Sequence, residues 1–190
     1  IVDRILSAFA FAFSDTYRAV THNKGIMNGI DAVSIATGQD FRAIEAAAHA
    51  YASRDGKYRS LTTFSKSSNG DLVGRIEIPL SVGIVGGIST VNPVARMGLK
   101  ILGVKSACEL ACVIASAGLA QNLAAIKALS TEGIQKGHMK LHAKNIAVAA
   151  GATGKLVDFV SETMYNQSKI SMDNARRILQ DLHHARDSSS

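Results

Sequence analysis

Two histidines stand four residues apart in TEGIQKGHMKLHAKN, residues 131–145, and three lysines share the stretch. If the chain is helical from about Lys136, this spacing puts His138 and His142 on one face and Lys136, Lys140 and Lys144 on roughly the opposite one. Paired imidazoles can ligate a metal, move protons, or line a helix surface beside an apolar seam. For a metal, Cys108 and Cys112 would complete a C-x3-C…H-x3-H zinc set with the right ligand types. The setting argues against it, because both cysteines lie in an apolar, helix-like stretch and structural zinc ligands usually come in pairs from tight turns. No metal is expected.

These residues need elements to hold them. Residues 3–13 read as an amphipathic helix and Tyr17–Thr37 as a longer one stopped by Gly38. Asp40 stands where an N-cap belongs, ahead of FRAIEAAAHAYASR. YRSLTTF and LVGRIEIPL flank SKSSNGD, whose Asn69-Gly70 pair predicts a β-hairpin turn with positive φ angles. GIVGGIST lacks the G-x-G-x-x-G spacing of a dinucleotide loop and reads as a turn between elements. Pro93 opens a helix that Gly103 ends, and Ser106 with Glu109 predicts a capping box for a helix reaching about Leu129. That last helix is apolar on most faces and is expected to be buried, so Gln121 and Asn122 must either satisfy local backbone groups or point at a polar ligand. A basic helix to Ala150 follows Gly133 and Gly137, which suggest a hinge, and further helices are expected near 155–165 and 172–186. One hairpin among helices, without βαβ alternation, predicts an α+β fold.

Composition narrows the function classes. The 190 residues are 47% hydrophobic and 5% aromatic, enough for an aliphatic core. The net charge of +6 is dispersed, with no basic run interleaved with aromatics, so a specific anionic ligand is favoured over nucleic acid. Two cysteines one helical turn apart suit a reducing compartment. No uninterrupted apolar run approaches the ~20 residues of a membrane span, and no signal-peptide pattern opens the sequence. A soluble, cytoplasmic protein is expected. The sequence starts at Ile1 in mid-pattern, as part of something longer would.

THNKGIMNGIDAV (21–33), GQDFRAIEAAAHAYASRDGKY (38–58), GRIEIPLSVGIVGG (74–87), GLAQNLAAIKAL (118–129) and TEGIQKGHMKLHAKNIAVAAGA (131–152) together resemble class II HMG-CoA reductase, from about Ser14 to Ala152 and in family order. The resemblance implies interconversion of 3-hydroxy-3-methylglutaryl-CoA with mevalonate and CoA by two hydrides from NADH or NADPH. It implies a helix-rich large domain for substrate binding and dimerisation over residues 1–132 and a mobile helical flap over 133–190. The inserted cofactor domain, the catalytic glutamate and the D-A-M-G-x-N signature have no counterpart in these residues, so the chain alone is expected to be inactive. A homodimer or higher oligomer and the N-terminal half of the same enzyme are the implied protein partners. A non-catalytic oligomerisation core is the other reading.

By the same resemblance Lys24 of HNKGI, Asp40 of GQD and His138 of GHM are the catalytic set. Arg18, Thr21, Asn28, Gln121 and Asn122 are implied in the substrate pocket, and His142 beside CoA. The chemistry suits these types. A thioester carbonyl under hydride attack becomes an oxyanion that a fixed ammonium stabilises, a nearby carboxylate keeps the ammonium charged, and an imidazole can protonate a departing thiolate. Spacing alone would make Lys24 a solvated helix lysine and Asp40 a plain N-cap. Lys136, Lys140 and Lys144 are either a solvated face or an attraction for the phosphates of CoA.

Overall fold

The computed structural model describes residues 1–131 and 133–187, and within them the side chains of 89, 90, 134–138 and 183–187 are outside the description. Glu132 and residues 188–190 are likewise outside it. The order is α1 (Val2–Ser14), α2 (Thr16–Ala36), α3 (Phe41–Ala52), β1 (Thr62–Lys66), β2 (Leu72–Ile76), α4 (Gly87–Val91), α5 (Pro93–Leu102), α6 (Ala107–Leu129), α7 (Ile134–Ala149), α8 (Lys155–Asn166) and α9 (Met172–Asp187). Helices with one antiparallel two-stranded sheet are the α+β arrangement the sequence predicts. The chain divides into two compact units, Ile1–Thr131 and Glu132–Ser190.

Most helix boundaries follow from single side chains. Asp15 accepts from Arg18 N at 2.7 Å and starts α2, and Asp40 accepts from Ala43 N at 3.2 Å and starts α3. Asn92 caps α5 ahead of Pro93, and Gly103 ends it with φ of 68°. Ser106 caps α6 through Glu109 N, but Glu109 reaches the N–H of Lys105, one residue before the cap that a capping box would satisfy.

Four expectations change. GIVGGIST is not only a turn, since Gly87–Val91 closes a short helix before Asn92. The hairpin pairs Thr62 with Ile76 and Lys66 with Leu72, joined through residues 67–71, and only Gly70 of the Asn69-Gly70 pair has positive φ. Gly137 lies inside α7, so of the two glycines only Gly133, with φ of 83°, marks a break. Finally, α6 is not buried all round: Leu110, Ile114, Gly118, Asn122 and Ile126 form a single buried stripe at four-residue spacing, while Leu123, Leu129 and both cysteines are exposed. Its 23 residues are also long and apolar enough to cross a membrane, although polar residues interrupt its apolar run. Here the buried stripe ties it to the core of its unit.

That core places Ile26, Met27 and Ile30 of α2 against Leu110 and Ile114 of α6, with Ile44 and Ala48 of α3 completing it. Burying each isoleucine contributes about 1.5–3 kcal/mol. Helices α2 and α6 make the most extensive contact between elements, and glycines set its closeness. A Cβ on Gly29 would lie 2.5 Å from Ala117 O and 2.9 Å from Gln121 Cβ, and one on Gly118 would lie 2.8 Å from Ile30 Cγ1. Gly25 has room, its nearest neighbour being Ala125 Cβ at 3.7 Å. The second unit has its own small core of Ala143, Ala147, Val160, Met164, Ala175 and Ile178.

These two glycines of α2 should respond oppositely to alanine. Gly29→Ala must push backbone aside and is expected to cost about 1–3 kcal/mol, while Gly25→Ala, in a helix interior with space, should be neutral or gain about 0.5–1 kcal/mol. Urea unfolding of the two variants measures both, and equal midpoints would mean the helix contact is looser than described.

Candidate functional site

Helix α2 has two opposite faces. Ala19, His22, Asn23, Ile26 and Ile30 are buried, and Thr21, Lys24 and Asn28 form an exposed row at spacings of three and four. Arg18 sits half-buried at the head of that row. Its Nη1 donates to Thr21 Oγ1 at 2.8 Å, and Thr21 Oγ1 donates to Arg18 O at 3.0 Å. Partial burial lowers the Arg18 pKa, and its Nε is a buried donor with no partner among the described residues. A guanidinium with a spare donor suits a carboxylate or phosphate.

What holds this row in place is a polar layer beneath it. His22 Nε2 and Thr62 Oγ1 are 2.7 Å apart, Thr62 Oγ1 donates to Asn122 Oδ1 at 3.0 Å, and Asn122 Nδ2 donates to His22 O at 3.3 Å. Because the single proton of Thr62 goes to Asn122, Thr62 must accept from His22, which fixes the imidazole as the Nε2–H tautomer. Next to it, Asn23 donates to Arg59 O at 2.8 Å and accepts from Leu61 N at 3.0 Å. Three elements, α2, β1 and α6, are thereby fixed to one another. Burial, and then the charge of Arg18, push the His22 pKa down to about 4, so this imidazole is neutral.

The implied site residues fall into two groups. Arg18, Thr21, Lys24 and Asn28 share the exposed side of α2, and Gln121 meets α2 at Gly29, where its Cβ would face a new one at 2.9 Å. Gln121 is exposed, whereas Asn122 is 1% exposed and uses both amide atoms in the polar layer. Asn122 is thus spent inside the fold on partners distant in sequence, not on local backbone groups, while Gln121 faces out.

Asp40 lies at the start of α3, exposed. Its Oδ1 both caps the helix and lies 3.9 Å from Arg42 Nε, and among the described residues no ion pair joins it to Lys24. The residue before it does more than the sequence disclosed. Gln39 Nε2 donates to Gly83 O at 2.9 Å and Gln39 Oε1 accepts from Gly83 N at 2.9 Å, pinning the segment after β2 beside Asp40. His22, Asn23, Thr62 and Gln39 were all missed as residues that organise the site. His22 and Asn23 flank Lys24 in THNKG, and that adjacency was the available signal.

In the second unit, His142 is exposed on α7; the backbone of His138 is helical, and its side chain lies outside the described residues. Lys140 and Lys144 are exposed, as a solvated face would be, and the side chain of Lys136 lies outside the described residues. Lys144 Nζ pairs with Asp158 Oδ1 at 2.6 Å, and Lys140 Nζ stands 5.5 Å from the Tyr165 ring centroid, so both pack on α8. Among the described residues no three His, Cys, Asp or Glu side chains gather as a metal set.

A second titrating group sits on α2. Burial, reinforced by Glu45 of α3, pushes the Asp31 carboxyl up to about 6.

Residues 1–143 match the model of the family described as hydroxymethylglutaryl-coenzyme A reductase. The chain is similar to 3-hydroxy-3-methylglutaryl-coenzyme A reductase of Archaeoglobus fulgidus, 58% identical over 182 residues, covering 96% of this chain and 42% of that protein. It is similar to the probable enzyme of that name from Borreliella burgdorferi at 42% identity, covering 91% of this chain and 41% of the other. The solved class II enzyme of Streptococcus pneumoniae bound to NADPH in open conformations superposes with a TM-score of 0.67 at 48% identity, covering 96% of this chain and 44% of that one. The chain thus spans about two fifths of the length of the relatives it matches.

The two shifted groups make opposite demands on stability. A neutral His22 favours the folded state less as pH falls from 6.5 to about 4, because only the unfolded chain then takes up the proton, at up to ~1.4 kcal/mol per pH unit. Asp31 runs the other way, since its raised pKa means the folded state gives up stability as pH rises from 3.8 to about 6. Between about pH 4 and 6 the slopes oppose, and urea midpoints of the parent chain should be nearly flat. Asp31→Asn should unmask a steep acid loss, and an unchanged profile would show that Asp31 holds no extra proton.

Proposed function

Since this chain belongs to the hydroxymethylglutaryl-coenzyme A reductase family, we propose that it forms part of an enzyme interconverting HMG-CoA with mevalonate and CoA. The observation that carries the reading is the row Arg18, Thr21, Lys24 and Asn28 on α2, fixed from behind by the His22, Thr62 and Asn122 layer. The nicotinamide that the family uses supplies hydride. The glycine-rich connection from β2 to α4, with Gly83, Gly86 and Gly87, lacks the G-x-G-x-x-G spacing, so no described residue is assigned to the dinucleotide. The Streptococcus pneumoniae structure named above is bound to NADPH, and the choice between NADH and NADPH belongs to residues beyond those matched here.

The chain's own residues take the following roles in this reading. Lys24 offers its ammonium to the carbonyl oxygen of the thioester, where negative charge develops on reduction. Arg18, with its spare Nε–H, binds the carboxylate of the substrate, and Thr21, Asn28 and Gln121 supply neutral hydrogen bonds around it. Asp40 keeps Lys24 charged when the site is complete. His138 gives a proton to the CoA thiolate as it departs, and His142 lies along the same CoA. Residues 1–132 act as part of the substrate-binding and dimerisation domain and 133–190 as the flap. Location in the cytoplasm and assembly into a homodimer belong to the same reading.

Two measurements in an enzyme of the relatives' full length that carries this sequence test it. Lys24→Ala should lower turnover by orders of magnitude with CoA affinity nearly intact, and a loss within about tenfold, ~1.4 kcal/mol, would remove the oxyanion role. His138→Gln should slow HMG-CoA reduction far more than reduction of free mevaldehyde, which releases no thiolate. Equal damage to both would assign the histidine to pocket structure instead.

A further inference from the structure

We propose that the outward face of α4 and α5 is a docking surface for an acidic amphipathic helix, supplied by the part of the family fold that the relatives carry beyond the length matched here. Val85, Ile88, Val91, Val94, Met97 and Ile101 are between 58% and 86% exposed, a concentration of open apolar surface that isolated surface residues do not produce. On α5 the spacing of Val94, Met97 and Ile101 gives one continuous row.

The row is held rigidly from behind. Ala95 is 1% exposed, Leu99 packs on the core, and a Cβ on Gly98 would lie 2.7 Å from Ala36 O at the end of α2. The side chains turned outward are therefore a fixed relief and not a loosely attached helix.

Charge selects the occupant. Residues 78–108 contain Arg96, Lys100 and Lys105 and no aspartate or glutamate. These three cations border a cleft of about 500 Å³ whose apolar wall includes Met97, Leu99 and Val104. None of the ion pairs among the described residues engages any of them. The nearest acid in sequence, Glu109, is turned to the backbone N–H of Lys105. A helix with an apolar stripe along one side and carboxylates beside it would bury the row and pair the cations. A second copy meeting the same face would set cations against cations, which opposes self-pairing. The relatives supply a source, because this chain covers only 42% and 41% of their lengths. The inference rests on family membership and is independent of the catalytic roles.

Thiol labelling tests it. In a Cys108→Ser, Cys112→Ser background, Met97→Cys should react rapidly with a maleimide in the 190-residue chain. In a polypeptide where this chain replaces the matched stretch of the Archaeoglobus fulgidus relative, the reaction should be at least tenfold slower. Adding Arg96→Glu and Lys100→Glu should restore the fast rate. Equal rates in the two settings, slowing that survives charge reversal, or slowing in the 190-residue chain as its concentration rises would each overturn the proposal, the last in favour of a second copy. Ile114→Cys, at a fully buried position, reports folding in both settings. Should the joined polypeptide fail that control, the same labelling at the aligned position of the relative's own full-length enzyme decides the outcome.

Discussion

Two helices that approach almost to backbone contact while enclosing a layer of polar side chains constrain everything else in the first unit. Close approach needs Gly29 and Gly118, where any side chain would strike backbone or Ile30. The enclosed His22, Thr62 and Asn122 each find a partner in one of the other two. Away from water, every such bond matters more for what its loss would leave behind than for its own net strength: removing one partner strands a buried group at about 1–3 kcal/mol. The layer also fixes rotation. Turning α2 by one residue would swing His22 away from Thr62 by about 100°, so the exposed row of Thr21, Lys24 and Asn28 is locked to a single direction by residues that never reach solvent.

How much of this was legible in the sequence depends on the range over which each signal acts. Caps act within three residues, and Asp40, Gly103 and Ser106 mark helix ends as their types suggest, while Asp15 and Asn92 cap α2 and α5 without having been singled out. The hairpin was likewise local, although only Gly70 needed the left-handed conformation and Asn69 did not. Helix α6 defeated the same method because its composition is apolar nearly all round, which says that it can be buried but not along which stripe. The partners of Asn122 lie 60 and 100 positions away, at Thr62 and His22. Nothing in LAQNLAA distinguishes an amide spent on those partners from its neighbour Gln121, which faces out. The layer beneath the exposed row of α2 lay outside what the family resemblance implied.

The second unit shows why charge patterns along one helix are ambiguous. Three lysines on a face of α7 invite a choice between solvent and a ligand phosphate. Lys144 and Lys140 stay exposed and also reach Asp158 and Tyr165 on the next helix, partners invisible from α7 alone. Exposed pairs of this kind contribute little to stability. The buried Ala143 and Ala147, clustered with Val160 and Met164, settle which side of α7 faces α8, and His142 stays open to solvent.

Asp40 brings the structural and the chemical readings together. A helix N-cap and a counterion for an ammonium both call for an acceptor oxygen at a fixed point, and one carboxylate can serve as either. Capping employs Oδ1 of Asp40, while Gln39, just before it, is clamped to both backbone atoms of Gly83. The carboxylate is thus held by the first turn of α3, and the residue before it is tied to the segment after β2. Lys24 occupies a different helix, and its long side chain can search while the carboxylate cannot. A cap and a carboxylate offered to a cation are therefore not exclusive: the hydrogen bond from Ala43 N holds Oδ1 in place, and the carboxylate stays exposed for any cation brought to it.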